Sequence, residues 1–146
     1  MNMSREILFR AKHIHAMDSN EHLNGTWVHG YLSDKNYIYD KSLDGEFLVD
    51  ENTICQYTGL TDKNGKKIFE GDIVRYGEIC GEVKFGLHES NWQICKYNQG
   101  FYIEFPEESL YRKELGYWEN KVVVIGNIYD SPKLLEDKEN KHGEDI

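Results

Sequence analysis

The stretch Gln56-Tyr-Thr-Gly-Leu-Thr-Asp-Lys-Asn-Gly-Lys-Lys-Ile-Phe-Glu-Gly-Asp-Ile-Val-Arg-Tyr76 decides how the chain folds. Asp62-Lys63-Asn64-Gly65 has the residues of a type I turn that closes on a left-handed glycine, because Asp suits its first position and Asn and Gly tolerate positive φ. Glu70-Gly71-Asp72 bends the chain again before the β-branched run Ile73 to Tyr76. Segments this short between reversals suit strands better than helices. The stretch therefore reads as strands joined by tight bends, with Gly59, Asn64, Gly65, Gly71 and Asp72 as structural turn positions.

The same grammar extends in both directions. Upstream, Arg5 to Ala16 alternates, with Ile7, Phe9 and Ala11 on one face. Further strands are expected at Thr26–Leu32, Tyr37–Tyr39, Glu46–Val49 and Thr53–Thr58, set off by Asn24-Gly25 and Asp44-Gly45. Downstream, Gly81–Phe85, Trp92–Tyr97 and Phe101–Phe105 read as strands. Pro106 to Tyr117 reads as a short helix, with Pro at its first position and Glu107 and Glu108 in its first turn. Val122–Tyr129 is nearly all apolar, the pattern of a strand buried on both faces. Ser131-Pro132 suits the start of a last helical turn carrying Leu134 and Leu135.

The expected class is mostly β, either all-β or β-rich α+β. A small SH3-like or open β-barrel over residues 56–129 is preceded by extra strands over 5–57 and joined by one or two short helices. Residues 1–135 form one domain, and the charged stretch 136–146 is expected to be a disordered tail. The 146 residues suffice for one core.

Charge narrows the function. Twenty-six acidic against seventeen basic residues leave −9, which repels phosphate backbones and anionic lipid. The richest basic stretch is Lys63, Lys66 and Lys67 with Arg75. Aromatic residues Tyr57, Phe69, Tyr76 and Trp92 would stack bases or clamp a partner if gathered on one face, although filling a core is their plainer role. Tyr57, Lys63, Lys66, Lys67, Arg75 and Tyr76 are thus the binding candidates. The ten tyrosines fit a β protein that contacts others. Cys55, Cys80 and Cys95 are odd in number and form no C-x-x-C pair, which suits reduced thiols. No apolar leader or membrane span is visible, so a cytoplasmic setting is expected.

Reactive constellations are sparse. His13 and His15 lie two apart in a strand and so point to one side, where His22 or His29 could complete a metal site. Asp62-x-Asn64-Gly65 has its glycine too early for a calcium loop. Glu70 and Asp72 flank a bend, where two carboxylates need not converge. Cys80 sits near Glu78 and Glu82, whose charges blunt a thiolate. No cofactor motif is present, and a non-enzymatic role is expected.

Gln56-Tyr-Thr-Gly-Leu-x-Asp-Lys-Asn-Gly-Lys66, then Glu70-Gly-Asp-Ile-Val74, together with Arg5-Glu-Ile-Leu-Phe-Arg-Ala11 upstream and Val124-Ile-Gly-Asn-Ile-Tyr129 downstream, resembles the YopX family of phage and prophage proteins. The resemblance implies a predominantly β, barrel-containing fold and a bacterial host cytoplasm. It brings no catalytic residues. The expected partner is a host or phage protein, with self-association through unpaired strand edges.

Overall fold

The structure, a computed structural model, describes residues 6–14, 25–91, 96–106 and 112–135. Strands dominate them, in two antiparallel sheets with no closed barrel. The chain divides into two compact units, Met1–Gly59 and Leu60–Ile146. The expected tail 136–146 lies outside the described residues.

The first unit contains β1 (Phe9–Lys12), β2 (Trp27–Asp34), β3 (Tyr37–Asp40), β4 (Gly45–Leu48), a 3-10 turn at Glu51–Thr53 and most of β5 (Cys55–Thr61). Their order is β4-β3-β2-β1-β5. Period-two alternation places Ala11, Val28, Ile38, Phe47 and Val49 in one apolar cluster, with Phe9 and Ile54 against it. Ile7, expected on that face, is exposed, since pairing of β1 begins only at Phe9. The chain leaving β4 returns to β1, where Val49 pairs with His13. Gly30 allows β2 and β3 to approach closely, because a Cβ there would lie 1.8 Å from the Tyr39 carbonyl oxygen.

The second unit contains the end of β5, then β6 (Lys67–Phe69), β7 (Asp72–Tyr76), β8 (Ile79–Asn91), β9 (Lys96–Glu104), α1 (Leu115–Trp118) and β10 (Val123–Asn127). Strand β6 pairs with β5, and the remaining strands form a sheet in the order β10-β7-β8-β9. Ile68, Val74, Val83, Ile103, Phe105, Leu115, Trp118, Val122 and Val124 make its core. The Trp118 indole donates to the Arg112 carbonyl at 2.6 Å, which satisfies its one polar atom inside that cluster.

Three expectations change here. Strand β8 runs on to Asn91, and β9 is continuous from Lys96 to Glu104 where two separate strands were expected, because Gly86 and Gly100 face each other in one ladder. The helix expected over 106–117 is a single turn at 115–118. Glu114 is extended and pairs with Tyr102, so this helical turn starts only after it; residues 107–111 lie outside the described set. Strand β10 is an edge strand and not one buried on both faces. The chain after it makes a helical turn at 133–135, with Leu134 N–H donating to Ser131 O. No helix among the described residues is long and apolar enough to cross a membrane.

Candidate functional site

Gly65 and Gly71 have φ of 82° and 87°, and Gly65 N–H closes its turn on the Asp62 carbonyl at 3.0 Å. Gly59, expected at a turn, lies instead inside β5, with φ of 88°. Asp62 does more than begin that turn. Its side chain is buried, and Oδ1 accepts from the amides of Asn64 at 2.8 Å and Lys66 at 2.9 Å. Its Oδ2 accepts from the amide of Val124, 2.9 Å away on β10 and sixty-two residues distant in sequence. Burial pushes its carboxyl upward, but the amide hydrogen bonds outweigh that and hold it below the ordinary carboxylate range. Asp72 is also buried and accepts from Phe69 N–H at 2.7 Å, while Glu70 is partly exposed, so the two do not form an acid pair.

Asp40 repeats the device in the first unit. Its Oδ1 takes the Ser42 amide and hydroxyl, and its Oδ2 takes the His29 amide of β2. Burial again raises the carboxyl and the donors lower it further than burial raises it. Turn chemistry in the sequence signals the first oxygen of each aspartate; the second, reaching another strand, has no local signal.

Of the four candidate histidines, His13 and His29 are described, and they lie on different faces of the first sheet. His13 is buried in the first core, with Nδ1 2.7 Å from the Leu48 carbonyl and its ring edge-on to Phe47. His15 and His22 lie outside the described residues. Among the described residues no three His, Cys, Asp or Glu side chains gather to hold a metal. Cys55 is buried, Cys80 is half-buried, and Cys95 lies outside the described set.

The basic candidates Lys63, Lys66, Lys67 and Arg75 are all exposed. Tyr76 is exposed and meets Trp118 edge-on, whereas Tyr57 and Phe69 are buried and offer no stacking face. Trp92 lies outside the described residues. The predicted aromatic set therefore does not gather on one surface.

A different surface does emerge, on the hairpin of β8 and β9. Directly opposed residues share a face, so Val83 with Ile103, Phe85 with Phe101, Leu87 with Gln99 and Glu89 with Tyr97 form one stripe. It starts in the core, where Val83 and Ile103 are fully buried, and runs outward past Phe85 (52% exposed), Leu87 (69%) and Tyr97 (59%). The Phe85 and Phe101 rings meet edge-on at 4.9 Å. Burying a large apolar side chain is worth about 1.5–3 kcal/mol, so each of these rings or branches is a sizeable unspent contact.

The opposite face is polar. Lys84 pairs with Glu104, and Glu82 lies directly across from Glu104. Burial lifts the Glu82 carboxyl, Lys84 opposes the lift and Glu104 adds to it. His88 is buried and stacks on Tyr102 with ring centroids 4.8 Å apart. The sequence hid the arm because Gly86, Asn98, Gln99 and Gly100 read as strand breakers.

No curated protein matches the chain at a significant level. The family described as YopX protein matches residues 8–136, and it therefore spans both units, including the turn held by Asp62 and the whole hairpin arm. On that match, covering most of its length, the chain belongs to the YopX family.

Proposed function

We propose that this chain is a phage- or prophage-encoded accessory protein that acts without catalysis, in the host cytoplasm, by contacting another protein through the β8–β9 arm. One observation carries the reading: Phe85, Leu87 and Tyr97 stand exposed in a row that continues the core stripe outward. Contiguous exposed apolar surface on a protein this acidic is where recognition is expected. The test is affinity capture with the wild type and with a Phe85→Ser/Leu87→Ser double variant. Loss of a captured partner by the variant, at an unchanged melting temperature, supports the reading. Equal capture by both, or turnover of a nucleotide or nucleic acid by the purified protein, sinks it.

A second reading, single-stranded nucleic acid, draws on the outer face of the first sheet, and not on the lysines of the 62–67 turn. Lys12 and the buried Arg10 lie over the Trp27 ring at 5.5 and 4.8 Å, and His29 and Tyr31 follow on the same face of β2, with Tyr39 opposite Tyr31. Desolvation, then the Arg10 charge, hold the His29 pKa below its ordinary value against the pull of Asp40, which favours a neutral ring at pH 7. Planar rings beside cations suit base stacking. Fluorescence anisotropy with labelled single strands decides, and silence even at low salt removes this reading.

A further inference from the structure

We propose that residues 112–121, with the neighbouring 62–66 turn, form a second contact surface that takes a short acidic segment of a partner protein through its Asp and Glu carboxylates. The surface is separate from the β8–β9 arm, and the proposal does not depend on the arm.

Backbone bonds bring its cations together. The Lys63 amide donates to the Val122 carbonyl at 2.8 Å and the Asn120 amide to the Thr61 carbonyl at 3.3 Å, so the turn lies against residues 120–122. Lys63 and Lys121 thereby become neighbours although they are far apart in sequence. Lys121 Nζ donates to the Tyr117 carbonyl at 2.8 Å and lies 4.3 Å from the centre of the Tyr117 ring. The Arg112 guanidinium lies 4.8 Å from the same centre and pairs with Glu114. Two cations are thus held on one exposed ring. An ordinary surface lysine gives up rotamer freedom when it meets a ligand, whereas Lys121 and Arg112 are already in place, and this preorganisation sets them apart from side chains that are merely solvated.

The acids around them are engaged. Asp62 is buried and both its oxygens accept backbone amides. Glu114 gives one oxygen to Arg112, and its other is buried. Of the carboxylates in residues 61–66 and 112–122, that leaves Glu119, which is half-buried. Against it stand Lys63, Lys113 and Lys121, all exposed and none in an ion pair with a described residue. A chain with twenty-six acidic and seventeen basic residues has carboxylates to spare, so cations left unmatched in one place are a local reversal of its charge.

The donors choose the ligand. Ammonium and guanidinium groups donate and never accept, which matches the acceptor-only oxygens of a carboxylate. Reach decides between a peptide and a nucleic acid. Charges are screened over about 8 Å at physiological salt, so a short acidic segment that stays on this patch escapes the repulsion of the remaining chain. A nucleic-acid strand carries a charge at every phosphate and runs on beyond the patch. The Tyr117 ring, with cations from two segments over it, also offers its bases little free face for stacking.

The test is fluorescence anisotropy on the full chain with three labelled probes: a peptide of alternating Asp and Glu, its Asn and Gln counterpart, and a single-stranded oligonucleotide of the same length. The wild type is expected to bind the acidic peptide and not the amide one. Lys121→Glu and, separately, Lys63→Glu are each expected to weaken that binding about tenfold at an unchanged melting temperature. Lys133→Glu makes the same change of net charge at an exposed position beyond the other end of β10, and is expected to leave affinity within about twofold. The Phe85→Ser/Leu87→Ser protein is expected to bind the peptide as the wild type does, which keeps this test apart from that of the arm. Equal binding of the acidic and amide peptides, binding of neither, or equal weakening by Lys133→Glu and Lys121→Glu overturns the proposal. So does loss of the peptide from the Phe85→Ser/Leu87→Ser protein, which moves the site to the arm, or oligonucleotide binding that Lys121→Glu weakens as much as peptide binding, which makes the ligand a nucleic acid.

Discussion

The sheet of the second unit has two edges, and the chain treats them differently. At β10, the Val124 amide that would face solvent is taken by Asp62 Oδ2, and the Lys63 amide beside it donates to Val122 O at 2.8 Å. At β9, Lys113 takes the amide of Ile103 and Glu114 bridges Tyr102, and among the described residues no strand pairs with the outer edge at Tyr97 and Gln99. One edge is closed by a buried carboxylate from a neighbouring turn. The other is left open beside exposed Leu87 and Tyr97. Unpaired edges are a liability unless they are used, so the proposed contact reading puts recognition at the β9 side and stability at the β10 side.

The sharpest way to break this contrast is to open the closed edge. Asp62→Ala leaves three amides, those of Asn64, Lys66 and Val124, without their acceptor in a buried site. Water can reach only part of the gap, so the expected loss is about 3–5 kcal/mol by urea denaturation. Asp62→Asn keeps one carbonyl oxygen and should cost roughly 1–3 kcal/mol. An Asp62→Ala protein as stable as wild type would show that β10 is held by its apolar contacts alone.

Gly71 tests the same edge from its other end. Its carbonyl accepts the Ile128 amide that follows β10, its own amide donates to Val83 of β8, and its φ is 87°. A β-branched side chain at that φ is strained. Gly71→Val is expected to cost about 1–3 kcal/mol in thermal unfolding, with any loss of binding following from unfolding. A stable Gly71→Val protein that no longer binds its partner would move recognition to the closed side.

How much of this was readable follows from where each cause lies. The turn at Asp62–Gly65 and the bend at Gly71 were legible because Asn and Gly carry their own backbone preferences. The strands were legible wherever alternation is clean, as in Trp27–Tyr31. What failed depends on partners far away in sequence. Glu114 is extended only because Tyr102 pairs with it, and Pro106 and the acidic residues after it cannot announce that. Gly86 and Gly100 weaken a strand individually, yet they sit opposite each other in a continuous ladder. His13, a metal candidate by spacing, is buried by the return of Val49, thirty-six positions later. Of the binding candidates Tyr57 is buried while Lys63, Lys66, Lys67, Arg75 and Tyr76 are exposed, and in the exposed stripe Phe85, Tyr97 and Phe101 read as strand while Leu87 and Gln99 fall between the expected strands.

Acid should weaken the closed edge and, with it, the turn held by Asp40. In the folded chain the amide donors hold the carboxyls of Asp62 and Asp40 below their ordinary value. A depressed folded pKa gives stability that is fully present above the unfolded value, near about pH 4, and is lost as pH falls from there through the folded pKa. Unfolding free energy should therefore decline below about pH 4 in the wild type and decline less steeply in Asp62→Asn, which has one fewer proton to take up. Parallel pH profiles for the two proteins would show that Asp62 contributes nothing to acid sensitivity.

The smallest expected effect on stability lies on the open edge. Leu87 is 69% exposed, stands opposite Gln99, and belongs to no core cluster. Its side chain loses little contact when shortened and made polar, so Leu87→Ser should change the unfolding free energy by within about 0.5 kcal/mol. Its solution behaviour should change more than its stability. Removing one apolar side chain from the exposed stripe lowers the drive for association, and the variant is expected to stay soluble at higher concentration than the wild type. Urea denaturation and light scattering on the same samples read the two quantities separately. A fall in stability comparable to that of Gly71→Val would mean that Leu87 packs inside the molecule, and the distinction between a closed edge for stability and an open one for contact would collapse.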